Sequence, residues 1–370
     1  MKYDAVATCG FGLESVLSFE LKKLNMENVR TTDGRVFFTA DGAGIARANV
    51  WLRTAERVMI VLAEYEAETF DQLFDGAKAV HWGDIIGRTD AFPVKGYTMQ
   101  STLSSVPACQ SVLKKAVVER MKIDHNSPFL TEKSGITKMI RFSIVKNKCT
   151  LMLDTSGDGL HKRGYRPLMN EAPIKETIAA GICDFARVYP DSRVYDPFCG
   201  SGTLVIEAAL RAMNIAPGVR RGFSGENYSF LGDGIFNEIK EEALASENRD
   251  ADFEAVGSDI DPAAVQLAAA NAERAGVSDR IMFFECDARK AQFDPDDVVL
   301  ANPPYGERLM SEEEVKKLYS EFYAGYAPQK SKGLYVISSY PLLEESFGKK
   351  ATRRRKLYNG MLTCQLYMYY

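Results

Sequence analysis

The residues best suited to chemistry stand at Asn302-Pro303-Pro304-Tyr305, directly after the apolar run Val298-Val299-Leu300. The run reads as a buried strand and the tetrapeptide as a rigid turn at its end. Two consecutive prolines remove two backbone donors and restrict the residues before them, so the carbonyls of the turn are spare acceptors held in fixed directions. Asn302 adds a side-chain oxygen and Tyr305 a flat aromatic face. Together an amide oxygen, a carbonyl and a ring can grip a planar base by its amino group. An isolated Asn-Pro-Pro is more simply a capped turn, so the weight of this reading falls on the rest of the chain.

Three earlier strand-like runs also end in acids. Residues 193–196 end in Asp196 and lead into Pro197-Phe198-Cys199-Gly200-Ser201-Gly202-Thr203, after which Leu204, Val205, Ala208, Ala209 and Ala212 follow helical spacing. Glycines between strand and helix let a ligand approach the backbone closely. The loop lacks the Gly-Lys-Ser/Thr ending of a phosphate-binding P-loop. A carboxylate at the strand tip repels pyrophosphate but suits an amino-bearing ligand such as S-adenosylmethionine. Residues 254–259 end in Asp259, placed to accept from two ribose hydroxyls, and residues 281–285 lead to Cys286-Asp287-Ala288, where an acid can take an adenine amino group. Gly202 and Asp259 stand much farther apart than the roughly 20 residues of a dinucleotide fold. The surplus, residues 215–250, reads as an insertion over the site. In an open α/β sheet, ligands bind at the carboxyl ends of the strands, which would gather Asp196, Asp259, Asp287 and Asn302 into one crevice. Each acid alone is as simply a helix cap; four such tips in succession, the first with a glycine loop, are not.

The elements that must hold these tips fit a chain of 370 residues, long enough for two or three domains. No apolar run approaches a membrane span, and no signal peptide is evident at the start. Seven cysteines, odd in number and never in a Cys-x-x-Cys pair, argue against a zinc site or a disulfide framework and fit a reducing, cytoplasmic setting. No metal is expected. The net charge of −4 gives no global support for nucleic-acid binding, which must rest on local patches. Beyond residue 311 the periodicity predicts a helix with Val315, Leu318, Tyr319 and Phe322 inward, a strand over 333–338, a short helix, and a hairpin about Asn359-Gly360. Lys349-Lys350 and Arg353-Arg354-Arg355-Lys356 read either as a phosphate-tracking edge or as a charged edge strand that blocks aggregation.

The first 155 residues read differently. Strand 2–8, a helix from Leu13 to Leu24, a hairpin about Asp33-Gly34, a helix over 44–53 and a strand over 57–62 follow the β-α-β-β-α-β ferredoxin-like order. Gly10-Phe11-Gly12 lacks the third glycine and later acid of a dinucleotide fingerprint, and reads as a turn. A second unit starts near Glu68, with a helix, a strand over 92–99 whose early proline places it at a strand start or a sheet edge, a helix opened by Pro107, and a closing hairpin about Lys146-Asn147-Lys148. On the long helix Val112, Ala116, Val117 and Met121 face inward, and Lys114, Lys115 and Arg120 stay wet. After the turn-rich break at 155–159, Leu160-His161-Lys162-Arg163-Gly164-Tyr165-Arg166-Pro167 forms a plausible site for phosphate and base contacts, with His161 not catalytic. The run Asn170-Glu171-Ala172-Pro173 then opens a helix with Ile174, Ile178, Ala179 and Ile182 inward.

Lys95-Gly96, Ser101, Leu103, Ser105, Cys109-Gln110 and Lys114-Lys115 resemble a THUMP domain, an RNA-binding module, and the residues before it resemble the ferredoxin-like domain that accompanies one. Asp-Pro-Phe-Cys-Gly-Ser-Gly-Thr, Gly-Ser-Asp-Ile-Asp and Asn-Pro-Pro-Tyr-Gly-Glu-Arg resemble class I S-adenosylmethionine-dependent methyltransferases acting on exocyclic amines. Over its whole length the chain is similar to bacterial 23S rRNA guanine-N2-methyltransferases, which carry a second methyltransferase domain beyond the position of Tyr370. The resemblance implies an α/β Rossmann-like methyltransferase sheet over 156–370, behind a ferredoxin-like domain at 1–66 and a THUMP domain at 67–155. It implies S-adenosylmethionine bound by Asp196, Phe198, Gly200, Gly202, Thr203, Asp259, Ile260, Asp287, Ala288 and Asn302. Catalysis would fall to Asn302, Pro303, Pro304 and Tyr305, and RNA contact to Lys95, Lys114, Lys115, Lys162, Arg163, Tyr165 and Arg166. A tRNA guanine-N2-methyltransferase, an adenine-N6-methyltransferase of DNA or RNA, and a non-catalytic RNA-binding protein stay open as alternatives.

Overall fold

A computed structural model describes residues 1–133, 135–166, 174–306, 311–360 and 362–370. The expectations resting on Pro167, Asn170, Glu171, Ala172, Pro173, Glu307, Arg308 and Met361 lie outside these residues. Elements run in the order β1 (Tyr3–Cys9), α1 (Glu14–Lys23), β2 (Glu27–Thr32), β3 (Arg35–Ala40), α2 (Gly42–Trp51), β4 (Ala55–Glu66), α3 (Phe70–Ala79), β5 (Val94–Met99), α4 (Val106–Asp124), β6 (Ile140–Val145) and β7 (Lys148–Asp154). The second half continues with α5 (Glu176–Phe185), β8 (Arg193–Asp196), α6 (Thr203–Ala212), α7 (Ile235–Ala245), β9 (Glu254–Asp259), α8 (Pro262–Ala275), β10 (Ile281–Glu285) and β11 (Asp297–Ala301). It closes with α9 (Glu312–Tyr326), β12 (Gly333–Ser338), α10 (Leu343–Phe347), β13 (Arg353–Asn359) and β14 (Leu362–Tyr369).

The strands form two seven-stranded sheets, ordered β2-β3-β1-β4-β7-β6-β5 and β10-β9-β8-β11-β12-β14-β13. In the first, β4 pairs with β1 on one side and β7 on the other, so the two units expected in the first 155 residues share one sheet. Gly34, at φ +67°, makes the β2–β3 turn that its Asp-Gly dipeptide predicts. Pro93 stands before β5, an edge strand as expected, where a missing donor costs nothing. Ser105 caps α4 and Thr69 closes a capping box on α3, each satisfying otherwise orphaned N–H groups. Along α4, Cys109, Leu113, Ala116, Val117 and Met121 are the buried face, with Val112 turned to its margin.

In the second sheet β10, β9, β8, β11 and β12 are all parallel, and β14 and β13 close it antiparallel. One hydrophobic core runs through both halves of the chain: Leu13, Leu17 and Ile45 share it with Ile178, Leu204 and Phe253. Residues 215–250 correct the expectation of an insertion over the site, because they lie against the first half. The Tyr228 hydroxyl donates to the Asp154 carbonyl at 2.8 Å, and that of Tyr3 to the Phe230 carbonyl at 2.7 Å. Arg221 donates to the carbonyls of Gly159, at 2.7 Å, and Asp158, at 2.8 Å, stapling the inter-domain turn. Gly12, at φ +96°, lets β13 approach so closely that a Cβ there would stand 2.2 Å from the Lys356 carbonyl oxygen, so the first glycine pair is a packing turn.

Candidate active site

Four parallel neighbours, β10, β9, β8 and β11, deliver Asp287, Asp259, Asp196 and Asn302 to the same edge of the sheet. The residues gather there because these four strands are parallel neighbours, so every tip falls on one side. Asp196 is buried and its Oδ1 accepts the Phe198 N–H at 3.0 Å. Burial, with the Asp259 charge adding to it, pushes its carboxyl well above the usual carboxylate range. Asp259 is half-buried. Its Oδ2 accepts the Gly200 N–H at 2.9 Å and its Oδ1 the Asp261 N–H at 3.0 Å, which ties the glycine loop to the neighbouring strand tip. Asp287 is held below the usual carboxylate range, chiefly by hydrogen bonds from the Arg289 guanidinium, whose Nε lies 2.9 Å from Oδ1.

The two loop glycines part company. Gly200, at φ +51°, has nothing within 4 Å of the place a Cβ would take, so its outer side is open to a ligand. Gly202, at φ +79°, faces α8 instead, where a Cβ would stand 3.1 Å from that of Ala268. Thr203 is buried, and its hydroxyl is engaged by the Arg166 guanidinium at 2.7 Å and lies 3.1 Å from the Ser201 hydroxyl. Both residues therefore shape the loop from behind. Ile260 is 64% exposed at the rim, and Ala288 is buried. Phe198 packs edge-on against Phe322 of α9, with ring centroids 5.1 Å apart.

At the tip of β11, Pro303 is buried and Asn302 and Tyr305 are half-buried. The Tyr305 hydroxyl donates to Asn302 Oδ1 at 2.5 Å, so the ring and the amide expected to receive a base meet each other. The Pro304 carbonyl accepts the Tyr319 hydroxyl at 2.9 Å. Of the two proline carbonyls, that of Pro303 has no hydrogen-bond donor among the described residues. Tyr319 was legible in the sequence only as a member of a helix face, and the buried Asn271 of α8, which donates to the Ser201 carbonyl at 3.0 Å, was not singled out. A polar group in an apolar stripe was the sole signal.

The RNA-contact residues divide. Lys95, Lys115 and Lys162 are exposed. Lys114 is tied to Glu132 at 3.0 Å and lies over the Phe92 ring, beside an open cleft of about 550 Å³ lined by Val94, Gln110 and Lys115. Arg163, Tyr165 and Arg166 correct the expectation of an RNA-facing run, because their side chains point inward. Arg163 is bonded to the carbonyls of Leu160 and Arg53 and lies 3.5 Å from Glu207, and the Tyr165 hydroxyl donates to Glu207 at 3.0 Å. Arg166 pairs with Glu176 at 3.0 Å. Linker charges buried between two halves need such partners. His161 lies 3.0 Å from Glu56. On the basic edge, β13 is the outermost strand. Arg355 donates to the Gly12 carbonyl at 2.9 Å and Arg354 lies 3.4 Å from Glu344, so these two serve the protein itself. Among the described residues no helix is long and apolar enough to cross a membrane, and no group of three or more His, Cys, Asp or Glu could hold a metal.

Three families match consecutive parts of the chain: an RlmL ferredoxin-like domain at residues 4–59, a THUMP domain at 67–154 and an RMKL-like methyltransferase domain at 163–368. "Putative RNA methyltransferase YpsC" of Bacillus subtilis is 40% identical over 371 aligned positions, covering 100% of this chain and 96% of that protein. The ribosomal RNA large subunit methyltransferase K/L of Shewanella amazonensis is 34% identical over 99% of this chain, which spans only 53% of that longer protein. Among solved structures, a Listeria monocytogenes protein described as a predicted N6-adenine-specific DNA methylase is 43% identical, with a TM-score of 0.94 over 100% of this chain and 96% of that one. A structure described as "SMU.472, a putative methyltransferase complexed with SAH" is 36% identical, with a TM-score of 0.93 over 100% and 98% of the two chains. Asp196, buried with no cation beside it among the described residues, and the open side of Gly200 suit the amino-acid end of S-adenosylmethionine. The chain belongs to the THUMP-containing, RMKL-like family of S-adenosylmethionine-dependent RNA methyltransferases.

Proposed function

We propose that the protein methylates an exocyclic amine of an RNA base, guanine N2 in 23S rRNA. The observation that carries the amine reading is the tip of β11. Asn302 and the Pro303 carbonyl stand one strand from Asp196, at the edge where three acids suit a cofactor. The cofactor supplies an electrophilic methyl on a sulfonium. Asp196 takes its ammonium group, Gly200 gives its methionine end room, Asp259 accepts from the ribose hydroxyls and Asp287 from the adenine amine. The target base leaves its helix at a cost of a few kcal/mol. Tyr305 turns off Asn302 and stacks on the base, returning roughly 1–3 kcal/mol. Asn302 Oδ1 and the Pro303 carbonyl then accept the two amine hydrogens, and the nitrogen lone pair is left facing the methyl. This is positioning and electrostatics, with no side chain needed as a base. Ribosomal RNA is supported by the name of the Shewanella relative, a ribosomal RNA large subunit methyltransferase, and guanine N2 by the resemblance of the sequence motifs to 23S rRNA guanine-N2-methyltransferases.

Asn302→Ala is expected to cut turnover while leaving SAH affinity nearly intact; a large affinity loss with normal turnover would sink the role given to Asn302. Nucleosides from a deletion strain, separated by mass spectrometry, identify the product. Loss of one N2-methylguanosine from 23S rRNA supports the proposal, and an unchanged rRNA profile with a lost tRNA modification overturns the substrate. Adenine N6 is the second reading, favoured because the same two acceptors fit any planar amine. A lost N6-methyladenine in RNA or DNA would establish it.

A further inference from the structure

We infer that Tyr319 and Ser338 are positioning residues, a buried hydrogen-bond chain that fixes which proline carbonyl faces the target amine. The chain starts at the backbone N–H of Tyr340, which donates to Ser338 Oγ at 3.0 Å. Ser338 Oγ lies 3.0 Å from the Tyr319 hydroxyl, and that hydroxyl donates to the Pro304 carbonyl at 2.9 Å. Each hydroxyl has one proton, so the direction follows. The phenol proton is spent on Pro304, and the Ser338 proton must therefore go to the phenol oxygen. Every donor and acceptor along the path is used once, and bonds aligned in this way strengthen one another.

Its location gives the chain its purpose. Ser338 is the last residue of β12, the strand beside β11, so one strand tip holds the turn that leaves the other. Tyr319 is about 1% exposed, and its ring is wedged edge-on between Tyr340 and Phe347 at centroid distances of 5.5 and 6.2 Å, so its hydroxyl has little freedom to move. Two successive prolines offer two carbonyls, and because the rings fix φ but not ψ, the turn by itself does not decide which of them faces the crevice. Occupying Pro304 leaves Pro303 as the acceptor beside Asn302. Helix α9 also holds Phe198 of the glycine loop through Phe322, so one helix positions both the cofactor side and the base side of the crevice.

The inference rests on the turn receiving the amine, and its test separates the two. Tyr319→Phe, Ser338→Ala and the double variant are compared in single-turnover methyl transfer to a 23S rRNA fragment, in SAH calorimetry, and in hydrogen exchange of the peptide over residues 300–306. The expected result for Tyr319→Phe is a rate roughly tenfold to a hundredfold lower, the scale of a small misplacement. SAH affinity should stay within about twofold, exchange of the turn should quicken, and the double variant should be no slower than Tyr319→Phe because both act through one chain. An unchanged rate, equal losses of rate and SAH affinity, or additive losses in the double variant would overturn it. Should Tyr319→Phe fail to fold, Ser338→Ala carries the test: a slower rate at unaltered SAH affinity supports the chain, and a wild-type rate refutes it. If the wild type methylates no RNA, the functional reading fails, while the exchange of the turn still decides the chain.

Discussion

Asp196 shows how a single group can be read in both directions. Its buried carboxyl, with Asp259 beside it, holds a proton more tightly in the folded chain than in the unfolded one. The ligand-free protein should therefore lose stability as pH rises from the ordinary carboxylate range through Asp196's raised value, since ionisation then favours the unfolded chain. Asp196→Asn should flatten that part of the stability curve, which thermal melts from about pH 4 to about pH 8 would reveal. The same substitution should weaken SAH roughly tenfold or more, because it removes a charge-assisted hydrogen bond of about 1.5–3 kcal/mol. A variant that melts like the wild type at every pH would contradict the raised proton affinity of Asp196, and one that binds SAH as tightly would contradict its pairing with the ammonium. At the same scale, the Tyr305–Asn302 bond explains how the turn stays satisfied without substrate. The amide oxygen has a donor until a base replaces it.

At the scale of elements, the strand–loop–helix of β8 and α6 separates two uses of glycine that the sequence presents as one motif. Both loop glycines have positive φ, which costs an alanine about 1–2 kcal/mol. Gly202→Ala should add a packing penalty against α8, and Gly200→Ala an obstruction on the ligand side. Melting temperature should fall further for Gly202→Ala, and SAH affinity further for Gly200→Ala. The reverse order would show that the outer side of Gly200 does not face the cofactor. The loop's other supports, Arg166 on Thr203 and Asn271 on the Ser201 carbonyl, come from the linker and from α8. A loop held from two elements is preorganised, so less is lost when a ligand orders it.

At the scale of the whole molecule, the two halves are not separable pieces. Leu13 of the first half stands so close to Gly181 of α5 that a Cβ there would lie 2.4 Å from it, and α2 lies against α7. Removing residues 1–155 would strip part of the shared core, so loss of activity in such a truncation would not report on RNA binding alone. Charge reversal at Lys95, Lys115 and Lys162, all exposed, is the cleaner probe. RNA affinity should fall and its salt slope should shrink by about 0.7–0.9 for each phosphate no longer neutralised, with SAH affinity and melting temperature unchanged. An unaltered slope would remove these lysines from the RNA path.

The sequence by itself determined the order of most elements, α7 and α8 excepted, the turns at Asp33-Gly34 and Asn359-Gly360, and the four polar strand tips, because period, turn residues and tip chemistry are local properties of the chain. The proposed amine chemistry rests on equally local features, Asn302 and two prolines whose stereochemistry is intrinsic. Only the tertiary structure decided where the long insertion lies, that Arg163, Tyr165 and Arg166 face inward, and that Tyr319 holds Pro304. Each of these is a pairing between residues far apart in the chain. A cation beside a boundary looks the same in sequence whether it meets phosphate or a buried carboxylate, since what separates the two is its partner and its exposure, and both are fixed only when the halves pack.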